Sequence, residues 1–385
     1  MTQTPVAALE QLLPIVAAHR READKNRQLS SQVFDAVCES GLLGMPIAPA
    51  HGGLGTALPE MLQIYEAIAY EDAAVSWVVW NAGLIGFYAR YMPQALREEL
   101  LHGCDKLICQ STIPAGELDT RNNETVVRGR WPLMSGSPGA DWAVLSCRKF
   151  ANGSPATDAS GAPEIVLAAI PRESFEIVDT WHSSGLRGTG SNDIEVAETV
   201  VPVHRTFTLA DASSVTGPTD RLPIFACVSA IFAAQTVGVA RAVFEHALDR
   251  GRSTVTAGPM PDPRDRQEYQ IAIAHHGEAL TIARERLQSA AQKVWAHAEA
   301  DNTASAALST DLYAAAFFAN QTAKTAVDAL HQLSGTSGLY EDSPIEKPAR
   351  DLHAMLRHIV AQPFMQADVG RVKLGLQPEW PLFFL

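Results

Sequence analysis

The chain has 385 residues, 46% of them hydrophobic and 19% charged, which is enough for more than one domain and a sizeable core. That balance excludes a disordered or fibrous protein. The formal net charge is −13 and no cluster of Lys and Arg offsets it, so nucleic acid is not an expected partner.

From Thr4 to about His102 the pattern is helical. Leu9, Leu12, Leu13, Val16 and Ala17 recur at helix spacing. Ser30 and Ser31 are candidate caps for a helix bearing Val33, Phe34, Val37 and Cys38. Positions 46–55 (PIAPAHGGLG) read as a turn-rich connection, a further helix is expected from about Pro59, and the run from Glu71 to Tyr91 is apolar enough to be buried. The first residues lack the basic stretch ahead of an apolar run that marks a signal peptide. No segment approaches the roughly 18 uninterrupted apolar residues of a membrane span. Five scattered cysteines (Cys38, Cys104, Cys109, Cys147 and Cys227) form no Cys-x-x-Cys pair, so the expectation is a reduced, cytoplasmic protein with no structural zinc.

From Leu107 to about Leu209 the periodicity changes to two. ETVVRGRWPL, DWAVLSCRKF, EIVLAAIP, FEIVDTW and IEVAETVVPV are short β-rich runs between Gly, Pro, Asn and Ser, with a polar hairpin loop over 151–163. Strands at this spacing predict a small antiparallel barrel or sandwich. After a linker rich in Ser, Thr, Pro and Gly over 211–223, four helices are expected at about 228–252, 267–300, 310–333 and 349–361, with apolar stripes suited to a bundle. The expected fold class is α+β and multidomain: an N-terminal helical domain (1–106), a central antiparallel β-barrel (107–210) and a C-terminal four-helix bundle (222–385).

Several familiar chemistries are absent. Gly188-Thr189-Gly190 is half of a dinucleotide fingerprint without its strand–turn–helix context. His275 and His276 are adjacent, so on a helix they diverge by about 100°, and no HExxH motif suggests a metal. No GxSxG follows a strand, which removes serine hydrolysis.

Three local motifs carry a resemblance over essentially the whole chain. They are Trp131-Pro132-Leu133-Met134-Ser135-Gly136 with Ala140-Asp141-Trp142, the run Trp181 to Asp193 (WHSSGLRGTGSND), and Leu333 to Gly338 (LSGTSG) with Pro344 and Arg350-Asp351. In this order and spacing the chain resembles the acyl-CoA dehydrogenase superfamily. Within it the chain is most similar to the two-component, reduced-flavin-dependent monooxygenases, the group of 4-hydroxyphenylacetate, dibenzothiophene and indole oxygenases. A dehydrogenase of this superfamily often carries a catalytic glutamate soon after the Arg-Asp pair. Here His358 and Ile359 stand nearby, and the next Glu is Glu379.

The resemblance implies an oxygenase component that hydroxylates a small phenol- or indole-like aromatic through a flavin hydroperoxide. Reduced FMN or FAD would come from a separate NAD(P)H:flavin reductase, O2 would be the co-substrate, and a homotetramer is the family norm. His358 is the implied catalytic imidazole, titrating at about 6.5 and able either to take a substrate proton or to orient the substrate and steady the hydroperoxide; His353 is the fallback. Asp351 and His358 are seven residues apart, which on a continuous helix puts both on one face about two turns apart.

Ser135 is the second implied catalytic residue, its hydroxyl beside the reactive flavin nitrogen, with Ser137 close by. Arg252 in FEHALDRGR is implied for the flavin phosphates, with Arg250 competing, and Gly335, Thr336 and Ser337 for the flavin-proximal loop. Trp131 suits either the flavin flank or barrel core. Trp77, Trp80, Asn81 and Tyr88 suit either a substrate wall or packing. The rival readings are oxygenation at nitrogen or sulphur, an acyl-CoA dehydrogenase, and a non-catalytic flavin-binding relative.

Overall fold

The computed structural model describes residues 4–122, 124–158, 161–210, 212, 214–255 and 261–385. Positions 159–160 of the expected polar loop, and 211 and 213 of the expected linker, lie outside them. In chain order the helices α1 (Pro5–Asn26), α2 (Ser31–Glu39), α3 (Leu58–Glu71), α4 (Ala73–Gly83) and α5 (Gln94–Leu101) come first. The strands follow: β1 (Ile108–Arg121), β2 (Glu124–Met134), β3 (Trp142–Ala151), β4 (Ser154–Pro155), β5 (Ile165–Pro171), β6 (Glu176–Val178), β7 (Asn192–Val200) and β8 (Thr206–Phe207). Then come α6 (Ile224–Ser253), α7 (Gln267–Glu299), α8 (Ala306–Leu333), α9 (Glu346–Met355) and α10 (Pro363–Lys373). The chain divides into two compact units. One is Met1–Thr56, Trp77–Ser183 and Arg187–Asp220; the other is Ala57–Ser76, Ser184–Leu186 and Arg221–Leu385.

In the first unit, α1 starts where Thr4 caps it through the Ala7 amide and Pro5 takes a position that needs no donor. Of the two candidate caps for α2, Ser30 is the one that accepts from the Val33 amide. The end of α1 is tied to the loop after β6: Arg27 grips Asp179 at 2.8 and 3.0 Å and donates to the Trp181 carbonyl at 3.0 Å.

The sheet corrects the expected antiparallel barrel. Its order is β6-β7-β2-β1-β3-β5-β8, with β4 paired on β3, so it is open, with β6 and β8 as its edges. It is also mixed, because β1 and β3 run parallel while the other neighbours are antiparallel. The cause is the connection after β2. It steps over the start of β1 instead of turning back beside β2, and Asp141 fastens it by accepting from the Leu107 amide at 2.8 Å. The central strand β1 escaped the period-two pattern because Pro114 and Gly116 interrupt it, and its register on β3 slips between Ser111 and Gly116.

In the second unit α6 packs against α3, α7 and α8, and α3 also meets α7. The fourth long helix of this layer is therefore α3, not the expected helix at 349–361. Nearly every residue of the first two-thirds of α6 is buried. It is long and apolar enough to cross a membrane, yet 94% of its most apolar window is buried inside the protein, as in a core helix.

The run 71–91 is buried over nearly all its length, as expected, but in pieces: Asp72 interrupts it, α4 ends at Gly83, and a 3₁₀ segment follows over Leu84–Tyr91. One expectation fails locally. The helix bearing Arg350-Asp351 stops at Met355, and His358 has extended geometry (φ −65, ψ 148). Pro363 disfavours helix for the residue before it. Gln362 donates its side-chain amide to the Leu356 and His358 carbonyls at 3.1 and 3.3 Å, satisfying acceptors that a continuing helix would have used.

Candidate active site

In the first unit the Ser135 hydroxyl sits in a buried polar line. The Trp77 indole donates to Ser135 Oγ at 3.0 Å, Ser135 Oγ lies 2.8 Å from Ser191 Oγ, and Ser191 Oγ lies 2.6 Å from Thr189 Oγ1. All four residues are buried, Thr189 completely. The local backbone aims Ser135 here. Strand β2 loses register on β7 between Trp131 and Met134, Leu133 is left-handed at φ +61, and the Ser135 amide turns back to the Leu133 carbonyl at 3.0 Å. Such strain in a non-glycine residue is sustained by the surrounding structure and is characteristic of functional positions. Gly136, at φ +79, then reverses the chain, and its amide donates to the Thr189 carbonyl at 2.8 Å. Ser137 donates to the Gly190 carbonyl at 3.1 Å, so its hydroxyl holds the two turns together.

In the second unit His358 stacks on Phe232 of α6, with ring centroids 5.8 Å apart and planes 25° from parallel. Its Nδ1 accepts from the Val360 amide at 3.5 Å. Burial pushes its pKa down to about 4, well under the 6.5 expected from sequence. The ring is therefore neutral at physiological pH. With Nδ1 accepting, the proton belongs on Nε2, which makes that atom a donor.

Close by in sequence, Lys347 is enclosed between Asp72 (2.8 Å) and Asp351 (2.7 Å). Burial works against its charge, but the two carboxylates outweigh burial and hold its pKa above the ordinary range. Asp72 also caps α4 through the Ala74 amide at 2.7 Å, and Asp351 accepts from the Leu186 amide at 2.6 Å. The turn at Gly185 needs glycine because a Cβ there would lie 2.3 Å from the Arg350 carbonyl oxygen. Asp351 is thus structural. Glu379, the next glutamate after the Arg-Asp pair, is exposed and paired with Arg371 at 2.9 Å. His353, the alternative histidine, is exposed and bound to Asp328 at 2.7 Å.

A cleft of about 270 Å³ in the same unit is lined by Arg250, Ser253, Thr254, Tyr269, Ser334 and Ser337, among others. Arg250 Nε is buried and makes no hydrogen bond. Arg252 is exposed and is not part of this lining. Of the loop residues singled out from sequence, Ser337 lines the cleft while Gly335 and Thr336 are exposed. The signal that separates Arg250 from Arg252 is helix phase, since two residues along α6 rotate the side chain by about 200°.

Trp131 is fully buried, its indole donates to the Ser146 carbonyl at 2.7 Å, and Gly116 must lack a Cβ to admit its ring. This is the placement of a sheet-core residue. Trp77 and Trp80 meet edge to face at 5.0 Å on α4. Asn81 Oδ1 is buried without a hydrogen bond. Tyr88 lies on the 3₁₀ segment, out of phase with α4, and burial raises its pKa far above the usual phenol range. Among the described residues no group of three or more His, Cys, Asp or Glu could hold a metal ion.

Comparison with known proteins identifies the class. Residues 8–104 match the acyl-CoA dehydrogenase N-terminal domain and residues 230–363 the C-terminal domain. The chain belongs to the acyl-CoA dehydrogenase superfamily, and relatives that it matches along its length are oxygenases. It is 26% identical to indole-3-acetate monooxygenase of Pseudomonas putida, covering 96% of this chain and 94% of that one. It is 24% identical to the oxygenase component of FADH(2)-dependent resorcinol hydroxylase of a Rhizobium species, covering 93% and 91%. In fold it is similar to XiaF from Streptomyces sp., solved in complex with FADH2 and glycerol, with a TM-score of 0.88, 21% identity and coverage of 98% and 96%. The residues present suit a flavin. The cleft offers a buried guanidinium nitrogen without a hydrogen-bond partner, beside hydroxyls, to a phosphate.

Proposed function

We propose that this chain is the oxygenase component of a two-component flavin-dependent monooxygenase. It takes reduced FMN or FAD from a separate NAD(P)H:flavin reductase and hydroxylates a small phenol- or indole-like aromatic with O2. The observation that carries this reading is His358. A neutral imidazole stacked on Phe232 stands in the segment where a dehydrogenase needs a carboxylate base. The nearby carboxylates support it: Asp72 and Asp351 hold Lys347, Glu346 holds Arg350, and Glu379 holds Arg371.

Reduced flavin, when bound, supplies the two electrons that activate O2. Arg250, with Ser337 in the same cleft, would bind its phosphate end, and the resemblance assigns Ser135 to its ring. The role of His358 follows from magnitudes. A phenol with pKa near 10 would lose its proton to an imidazole of pKa about 4 only at a cost of about 8 kcal/mol. His358 therefore would work as a donor at Nε2, orienting an oxygen atom of the substrate or of the group being transferred, the second of the two roles that the resemblance implies, in place of general-base catalysis. Keeping water from the site would limit loss of the electrons to hydrogen peroxide.

The exposed apolar side chains of Leu339, Tyr340 and Leu374 support self-association, and we read the assembly as a homotetramer. Five free cysteines support a reducing, cytoplasmic setting. The test supplies chemically reduced FMN or FAD, O2 and a panel of phenols and indoles, with products followed by mass. A product heavier by one oxygen atom is expected. No product from any of them, together with acyl-CoA-driven bleaching of a bound flavin, would overturn the reading.

A further inference from the structure

One residue of strand β2 is at odds with both its backbone and its surroundings. From Trp131, opposite Ile194, to Met134, opposite Asn192, β2 advances three residues while β7 advances two, which makes a bulge. Trp131 and Met134 on either side are fully buried. Leu133 in the bulge is left-handed at φ +61, a conformation that suits glycine and strains a residue with a Cβ. Its side chain is also 54% exposed, so packing within the chain offsets little of that strain.

The neighbouring strand repeats the pattern. Strand β1 slips on β3 between Ser111 and Gly116, and Ile113 in that stretch is 43% exposed. β1 and β2 are antiparallel, with Glu117 opposite Arg128, so the stretch before Gly116 and the stretch after Arg128 lie at one end of the sheet. Ser135 belongs to that end, its amide tied to the Leu133 carbonyl at 3.0 Å. Two breaks in register therefore display two apolar side chains at the serine's end of the sheet. A strained and exposed leucine gains nothing in the free chain, which points to a contact made only with a ligand.

We propose that Leu133 is a flavin-contact residue whose side chain lies against the isoalloxazine ring and shields it from water. It takes the flanking place that the sequence left open for Trp131, and it is kept there although it lowers the stability of the flavin-free protein. This rests on the reading of Ser135 as the residue beside the ring. An apolar cover at that point also limits loss of electrons to hydrogen peroxide.

The strain and the contact separate in two variants. Leu133→Ala and Leu133→Gly both remove the side chain, but only glycine relieves the backbone. In the middle of an ordinary strand glycine is the less stable of the two; here Leu133→Gly should melt at or above Leu133→Ala. Both should bind reduced flavin about fivefold more weakly, as expected for losing the burial of half a leucine side chain. The volume-conserving Leu133→Met should stay within about twofold of wild type.

The experiment combines thermal melts of the flavin-free proteins with anaerobic equilibrium titrations against reduced FMN and reduced FAD. Wild-type affinity in both truncations, with or without a change in oligomeric state, would overturn the proposal while leaving the oxygenase reading intact. So would a Leu133→Gly protein that melts well below Leu133→Ala, because the position would then carry no strain. Failure of the wild type to bind either reduced flavin would overturn both.

Discussion

The imidazole of His358 lies against the ring of Phe232, 5.8 Å between centroids and 25° between planes. The same burial that brings the rings together keeps the imidazole uncharged, with its pKa lowered to about 4.

Stability should therefore carry a signature of this histidine. In the unfolded chain it titrates near about 6.5, in the folded chain at about 4. Between those values the unfolded state binds more protons, so stability falls as pH drops through that window. The full effect is about 3 kcal/mol. His358→Phe removes it. In denaturant melts the stability of the wild type relative to His358→Phe should fall by up to that amount as pH drops from 7 to 4. Parallel curves would show that the imidazole is not held neutral.

Activity should not follow an ordinary histidine. With reduced flavin in excess, kcat/KM should stay flat from about pH 8 down through 6.5, because His358 keeps its Nε2 proton and neutral charge over that range. His358→Asn, which retains a donor, should keep more product formation than His358→Phe. A break near pH 6.5 that disappears in both variants would instead assign His358 as a general base.

Lys347 bridges two enclosed carboxylates. Lys347→Met leaves Asp72 and Asp351 buried without their counter-charge, with an expected loss of about 3–5 kcal/mol. Because the folded pKa of Lys347 is raised, its contribution is fully present below about pH 10 and fades only above that. The loss in the variant should therefore be constant between pH 6 and 9 in denaturant melts. A change under 1 kcal/mol would mean that water already solvates the cluster.

The two arginines near the end of α6 make opposite predictions. Arg250→Ala should weaken binding of FMN or FAD at least tenfold in equilibrium titration, because it removes a buried donor from the cleft. Arg252→Ala, at an exposed position, should leave the affinity within about twofold. The reverse result would move the phosphate site to Arg252.

Much of this was legible in the chain because local signals agreed with the fold. Period-two runs marked β2, β3, β5 and β7, long Ala-rich stripes marked α6, α7 and α8, and three motifs singled out Ser135, the Gly185 turn and Asp351. What was not legible depends on contacts distant in sequence. The parallel pairing of β1 with β3 hangs on the Asp141–Leu107 fastening, and α3 is recruited by α6 although only sequence neighbours seemed available to it. His358 was expected to continue a helix because nothing in HIVAQ forbids one; the stop is made by Gln362 reaching back to two carbonyls. Burial lowers the imidazole pKa through its surroundings, and residue type alone carries no record of that.

The most direct test of the central claim is the fate of isotopically heavy oxygen gas. Protein, chemically reduced flavin and a phenol or indole that is turned over are mixed with the labelled gas. The account predicts one heavy oxygen atom in the aromatic product and loss of most of that label in His358→Phe. Label recovered only in hydrogen peroxide, with the aromatic unchanged across the panel, would contradict it.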